Sequence, residues 1–243
     1  MRALVLLYGV VCYAASMASV LLMIGFCTDL VVPNSLGVTA DTFRLDALLI
    51  DLGLLALFGV QHTVMARQGF KAAITKIVPE AAERSTYGLM TVIVIVIIVT
   101  YWQPLPGAIW QVEAGNGALA LTVLALAGWG SMALFSFLID HFDLFGLRQV
   151  WLYARGVPYA PVPMKSPVLY KWVRHPMYVG ILIGIWSTPH MTGGHLLFAA
   201  GMTVYIMIGI AYEEKDLIRE LGEDYRLYQE RTPALIPHPP KKD

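Results

Sequence analysis

Arg174-His175-Pro176-Met177-Tyr178-Val179-Gly180 opens one apolar stretch of this chain, and Glu213-Glu214 closes the next. Charged and hydrogen-bonding groups at the ends of hydrophobic stretches are expensive to keep near lipid and mark a candidate site. A hairpin between the two stretches returns both clusters to one membrane face. Pro176 suits the first turn of a helix, where its missing N–H costs nothing. The free amides of that turn, beside Arg174, offer a place for an anion at a positive dipole end. His175 and Tyr178 are three residues apart and share a helix face. Glu213 and Glu214 point about 100° apart on a helix, so one of them faces the pocket and the other suits a solvated helix end. A guanidinium, an imidazole, a phenol and a carboxylate together can hold a ligand with charges of both signs, hydroxyls and an aromatic edge. The same residues also fit a plainer description, a snorkelling arginine beside an interfacial histidine and tyrosine.

The elements that position them are membrane helices. Of 243 residues, 57% are hydrophobic and 14% charged, against about 25% charged in soluble domains. Net charge is zero, and no basic run suited to tracking phosphates is present, which argues against nucleic acid as a partner. Cys12 and Cys27 lack metal-type spacing and read as small buried hydrophobes. A span needs about 20 apolar residues. Six segments qualify as candidates: Leu4–Cys27, Leu45–Met65, Tyr87–Trp102 with a helical extension over Ala81–Thr86, Ala118–Ile139, Pro176–Pro189 and His195–Tyr212. The first is too long for the ~7–15-residue core of a secretory signal and is read as a retained helix. The fifth is short, and is read as half of a helical hairpin turned by Pro189, Gly193 and Gly194. The expected fold is therefore an all-α, polytopic helical bundle of about six spans with a cytoplasmic pocket.

Lysine and arginine placement orients that bundle. In this assignment 16 of the 17 fall in alternate loops or at the termini, and only Arg44 on the other side. The positive-inside rule then puts both termini in the cytoplasm. Asp140 to Lys171, with Pro158, Pro161, Pro163 and Pro167, cannot be one continuous helix. Its aromatic residues fit either an interfacial belt or a lid over a polar pocket. Residues 213–230 read as one charged helix ended by Pro233. A single membrane domain, 1–243, accounts for the chain, with 140–232 as its cofactor-binding part.

Beyond Glu214 come Gly222-Glu223-Asp224-Tyr225-Arg226-Leu227-Tyr228 and Pro233-Ala234-Leu235-Ile236-Pro237. With the Arg174–Gly180 motif and the Glu pair, they resemble the isoprenylcysteine carboxyl methyltransferase family of integral membrane enzymes. The resemblance implies S-adenosylmethionine as cofactor, with no metal and no Rossmann domain. Aligned on its motifs, it implies cofactor contacts from Tyr170, His175, Tyr178 and Glu213, and from Gln149 in the preceding loop; Arg174, from the anion site at the start of that helix, completes the candidate cofactor-binding set. One position departs: the prenylcysteine enzymes carry an arginine four residues before the cofactor-binding glutamate, and this chain has Gly209. A substrate carboxylate held in an apolar pocket without a cation is severely undersolvated, which argues against a carboxylate acceptor.

Further segments resemble a narrower branch, the bacterial methanethiol S-methyltransferases. They are Gln61-His62-Thr63-Val64-Met65-Ala66-Arg67, Glu83-Arg84-Ser85-Thr86-Tyr87 and His141-Phe142-Asp143-Leu144-Phe145-Gly146-Leu147-Arg148-Gln149. That branch implies a small thiol acceptor, dimethyl sulfide as product and a bacterial inner-membrane location, with membrane lipid as the surrounding partner. It does not fix the oligomeric state. Methyl transfer from a sulfonium needs the acceptor sulfur aligned about 3–3.5 Å from the methyl carbon. The thiolate is the effective nucleophile, and a cysteine thiol titrates only near ~8.5. His62 and His141, the latter beside Asp140 and Asp143, are the candidate bases. Sulfonium electrostatics and desolvation are the alternative. A methyltransferase acting on a lipid amine, a nicotinamide-dependent membrane reductase and a non-enzymatic membrane partner remain as other readings.

Overall fold

The computed structural model describes residues 1–161 and 168–236, without the side chains of 168 and 169. Pro163, Lys165, Pro167, Pro237, Lys241 and Lys242 lie outside the described residues. In chain order the helices are α1 (Arg2–Thr28), α2 (Leu45–Ala66), α3 (Gln68–Ile74), α4 (Glu83–Tyr101), α5 (Asn116–Ile139), α6 (His141–Leu144), α7 (Leu147–Arg155), α8 (Pro176–Trp186), α9 (Gly193–Leu221) and α10 (Glu223–Arg231). Five of these, α1, α2, α4, α5 and α9, are long and apolar enough to cross a membrane. This is a multi-pass, predominantly helical membrane protein. The chain divides into two compact units. One comprises the described residues of 1–110, 140–163 and 190–195, and the other those of 111–139, 164–189 and 196–243.

In the first unit α1 lies against α4 and α7, and α2 lies against α4. Small residues allow the close approach of α1 and α4: a Cβ at Gly88 would stand 3.1 Å from Ser16 Oγ. Nearby, the Tyr8 and Thr86 hydroxyls share a 2.9 Å hydrogen bond. A single 3₁₀ turn, Glu80–Ala82, leads into α4, so the helical extension anticipated ahead of Tyr87 is present. The segment after Asp140 is not a structureless loop. Asp140 Oδ1 accepts from the Asp143 amide at 3.0 Å and so caps α6. Gly146, at φ 83°, turns the chain into α7, and a side chain there would meet the Ser85 amide at 2.7 Å. Leu147, Val150 and Tyr153 recur at helical spacing, which lets α7 bury one face on Val5, Leu6 and Ala82.

Two short strands were not anticipated: β1 (Ala108–Gln111) and β2 (His190–Thr192) pair in a two-stranded sheet. Runs this brief carry no readable two-residue period. Gly193 and Gly194, expected in a turn, instead begin α9.

In the second unit α5 packs on α8 through glycines. A Cβ at Gly128 would meet Gly180 O and Gly184 N, each at 2.6 Å. The backbones themselves are therefore in contact, as small residues permit between membrane helices. With 11 residues, α8 is about 16 Å long, half of a ~30 Å hydrocarbon core. It begins at Pro176 and stops at Trp186, short of Pro189. The Trp186 indole donates to Thr203 Oγ1 at 3.0 Å and ties α8 to α9. The expected single helix over 213–230 is in fact two: α9 carries both glutamates and runs on to Leu221, and Gly222, at φ 63° and ψ −131°, breaks it before α10. That left-handed φ suits glycine, and Tyr225 of α10 is then fully buried.

Candidate functional site

The second unit brings Tyr170, Arg174, His175, Tyr178, Glu213 and Glu214 together where α8 begins and α9 leaves its apolar stretch. His175 is the N-cap of α8, with Pro176 in the first turn. The backbone just before α8 is held by the segment after α10: the Arg174 amide donates to Pro233 O at 2.9 Å, and the His175 amide to Ala234 O at 3.1 Å. Glu214 is the hub. Its carboxylate accepts from Arg174 Nε at 2.7 Å, His175 Nε2 at 3.0 Å and Gln229 Nε2 at 2.8 Å. Arg174 also donates to the carbonyls of Gln229 and Thr232. The side chains of Arg174 and Glu214 are only 10% and 14% exposed.

Glu213 points elsewhere and is 47% exposed. Its Oε2 accepts from the Tyr178 hydroxyl at 3.3 Å and lies 3.8 Å from His175 Nδ1, too far for a hydrogen bond. With Nε2 bonded to Glu214, the imidazole turns Nδ1 toward Glu213. The His175 and Tyr178 rings stack with centroids 5.6 Å apart, 28° from parallel. Burial first, and then the charge of Glu213, push the Tyr170 phenol up to about 12, so this ring stays neutral. Its backbone carbonyl accepts from Tyr228 at 2.7 Å. Adjacent glutamates thus carry different duties: one is consumed by the protein, and the other retains acceptor capacity for a ligand. Four residues before Glu213, a Cβ at Gly209 would meet nothing within 4 Å among the described residues.

Gln149, His62 and His141 belong to the first unit. Gln149 is buried and donates Nε2 to Asp143 O at 3.1 Å, and among the described residues its Oε1 has no hydrogen-bond partner. It lines a cavity of about 410 Å³ with Glu80, Glu83, Arg84, Tyr153 and Tyr159. Asp143 anchors that wall. Its carboxylate takes Arg84 at 2.8 Å and Arg148 at 3.0 Å, and the Tyr159 hydroxyl donates to it at 3.3 Å. The His141 imidazole is buried and shares a 2.9 Å hydrogen bond with the Tyr13 hydroxyl. Burial pulls its pKa below the ordinary imidazole range, against a smaller opposing effect of Asp140. His62 lies 3.2 Å from Thr91 Oγ1 through Nδ1 and stacks on Phe58 with ring centroids 5.2 Å apart. The two histidines therefore have separate surroundings within one unit.

Three roles escaped the sequence. The clamping action of Glu214 could not be separated from Glu213 by spacing alone. Asp143 and Arg84 stood in the quoted segments, but nothing paired them. Gln229 carried no signal.

A family model described as NnrU protein matches residues 51–235. This chain belongs to the NnrU family. Its curated relatives include methanethiol S-methyltransferase 1 of Bradyrhizobium diazoefficiens, 46% identical over 95% of this chain and 81% of the relative. The methanethiol S-methyltransferase of Mycobacterium tuberculosis is 42% identical over 98% of each chain. That of Crocosphaera subtropica is 43% identical over 99% of this chain and 94% of the relative. No solved structure gives a significant match. The NnrU match covers every candidate site residue, and the relatives extend it over α1.

Proposed function

We propose that this NnrU-family protein is an S-adenosylmethionine-dependent methyltransferase that converts methanethiol to dimethyl sulfide. The observation that carries this reading is the near end-to-end match to proteins named for methanethiol methylation. The open, uncharged position of Gly209 agrees with it, because a small neutral acceptor needs room and no cation. Among the described residues, the donor set also fits the cofactor. Half-exposed Glu213, with one long hydrogen bond, can accept from an ammonium or from ribose hydroxyls. The stacked His175–Tyr178 face offers an aromatic wall.

When bound, S-adenosylmethionine supplies a methyl group on a positively charged sulfur. The protein's own work is to bind and orient. Glu213, Tyr178 and Tyr170 would hold the cofactor, while Arg174 fixes His175 through Glu214. Gln149 joins this set on the strength of the resemblance alone. His141, kept neutral by burial, or alternatively His62, is the proposed acceptor of the thiol proton. The deprotonated thiol sulfur would then receive the methyl group that the bound cofactor supplies. Residues 140–232 form the cofactor-binding part of one membrane domain in the bacterial inner membrane, with both termini cytoplasmic. Reporter fusions after Asp243 and near Asn116 are expected to respond oppositely.

The test is a headspace assay of purified protein with methanethiol, longer thiols and amines, each with S-adenosylmethionine or NADPH. Dimethyl sulfide should appear with methanethiol and S-adenosylmethionine only. Turnover of amines but not methanethiol would overturn the acceptor, and NADPH-dependent chemistry would overturn the cofactor.

A further inference from the structure

A neutral imidazole carries one N–H and one lone pair, so a hydrogen bond at either ring nitrogen decides what the other can do. His62 of α2 is half-buried and held by aromatic neighbours. Its ring stacks on Phe58, one turn earlier, at 5.2 Å and 12°, and the Tyr87 ring of α4 lies 4.9 Å away, tilted by 43°. The Tyr87 hydroxyl also donates to the His62 carbonyl at 3.4 Å. His62 Nδ1 meets Thr91 Oγ1 at 3.2 Å. A threonine hydroxyl has a single proton, and that of Thr91 goes to the Tyr87 carbonyl one turn back on α4, at 3.1 Å. Left with lone pairs only, Thr91 Oγ1 must accept from His62. The hydrogen-bond partners thus assign the ring proton to Nδ1 and the lone pair to Nε2.

His141 is bonded the other way. Its Nε2 lies 2.9 Å from the Tyr13 hydroxyl. Among the described residues that phenol has no other acceptor, and leaving a part-buried donor unsatisfied is costly, so Tyr13 donates to His141. This bond engages the one lone pair of the neutral ring. Phe142 and Phe145 pack around it, with ring centroids 5.4 and 4.9 Å away. Of the two rings, His62 is the one whose partner on the page takes a proton from it and leaves its basic nitrogen as the reacting atom.

We propose that Thr91 is a positioning residue: by accepting from His62 Nδ1–H it holds the lone pair at Nε2, where His62 takes the proton of the acceptor thiol. This role rests on the methyltransferase reading and selects one of the two proton acceptors named there. The thiol S–H bond breaks, its proton forms an N–H bond at Nε2, and its electron pair stays on sulfur; the imidazolium later returns the proton to water. The full chain, labelled with nitrogen-15 histidine and held in detergent without cofactor above the imidazole titration range, reports the tautomer by NMR. Six histidines contribute, and the spectrum of His62→Gln identifies the His62 pair. The proton should sit on Nδ1 in wild type and in Thr91→Ser, which keeps the hydroxyl, and Thr91→Val, of the same shape without it, should lose that preference. With methanethiol and S-adenosylmethionine, Thr91→Val should lower kcat by roughly a hundredfold, the lower end of what a positioned base supplies. KM for methanethiol should change little, and Thr91→Ser should restore kcat. A proton on Nε2 in the wild type, or a Thr91→Val protein with the wild-type kcat, would overturn this role alone. Absence of dimethyl sulfide from a wild type with the Nδ1–H tautomer would overturn the methyltransferase reading, and this role with it.

Discussion

Replacing Glu213 and Glu214 one at a time should separate ligand binding from folding. Glu214→Ala leaves the guanidinium of Arg174, 10% exposed, without its counter-charge, and removes three hydrogen bonds at 2.7, 3.0 and 2.8 Å. Removing one partner of a buried ion pair costs about 3–5 kcal/mol. In a chain of this size that lowers the melting temperature by roughly 6–20 °C. Glu213, at 47% exposure with a single 3.3 Å hydrogen bond, offers little to the fold, and its loss should cost less than about 1 kcal/mol of stability. Its contribution should instead appear in cofactor affinity, at about 1.5–3 kcal/mol for a charge-assisted hydrogen bond, or ten- to a hundredfold. The assay pairs thermal unfolding in detergent with calorimetric titration of S-adenosylmethionine. The expected outcome is a crossed pattern, with Glu214→Ala failing in stability and Glu213→Ala failing in affinity. If Glu213→Ala binds the cofactor as tightly as wild type, the division of labour drawn here is wrong.

Gly209→Ala should retain methanethiol turnover, because the new methyl meets nothing within 4 Å among the described residues, whereas Gly209→Arg should abolish it; a stable, fully active Gly209→Arg protein would refute the placement of the acceptor. Gly180→Leu should destabilise the protein by about 3 kcal/mol, since even a Cβ there stands 2.7 Å from Gly128 O; an unchanged melting curve would contradict the close α5–α8 contact. Burial lowers the His141 pKa, so its contribution to stability is complete above the ordinary imidazole value of about 6.5 and is lost as pH falls below it. Wild type should therefore lose more stability between pH 7 and 5 than His141→Gln, and parallel melting-temperature profiles would count against this.

Helical class, the long spans and the location of the charged cluster were legible because they depend on local composition and on spacing within one helix. Runs near Leu4, Leu45 and Ala118 announce themselves, and Pro176 marks the start of α8. Relations between distant segments were not legible. Glu213 and Glu214 are chemically identical neighbours, and only the rotation of α9 and the presence of Gln229, 15 residues on, decide which one is clamped. Gly222 could equally have sat inside a tolerant helix, and its positive φ is a property of the folded chain. The strands His190–Thr192 and Ala108–Gln111 exist because each finds the other, about eighty residues away.

The backbone pairing of Arg174 and His175 with Pro233 and Ala234 sets an order of events during synthesis. When Arg174 leaves the ribosome, the carbonyls that will receive it are still roughly sixty residues from being made, a delay of about 3–12 s at ordinary elongation rates. Until then this guanidinium and imidazole must stay in water, while the apolar stretch just after them is already seeking lipid. The mouth of α8 is therefore closed late, by the returning segment beyond Gly222, and a chain stalled before Pro233 would hold its spans in place around an unfinished site.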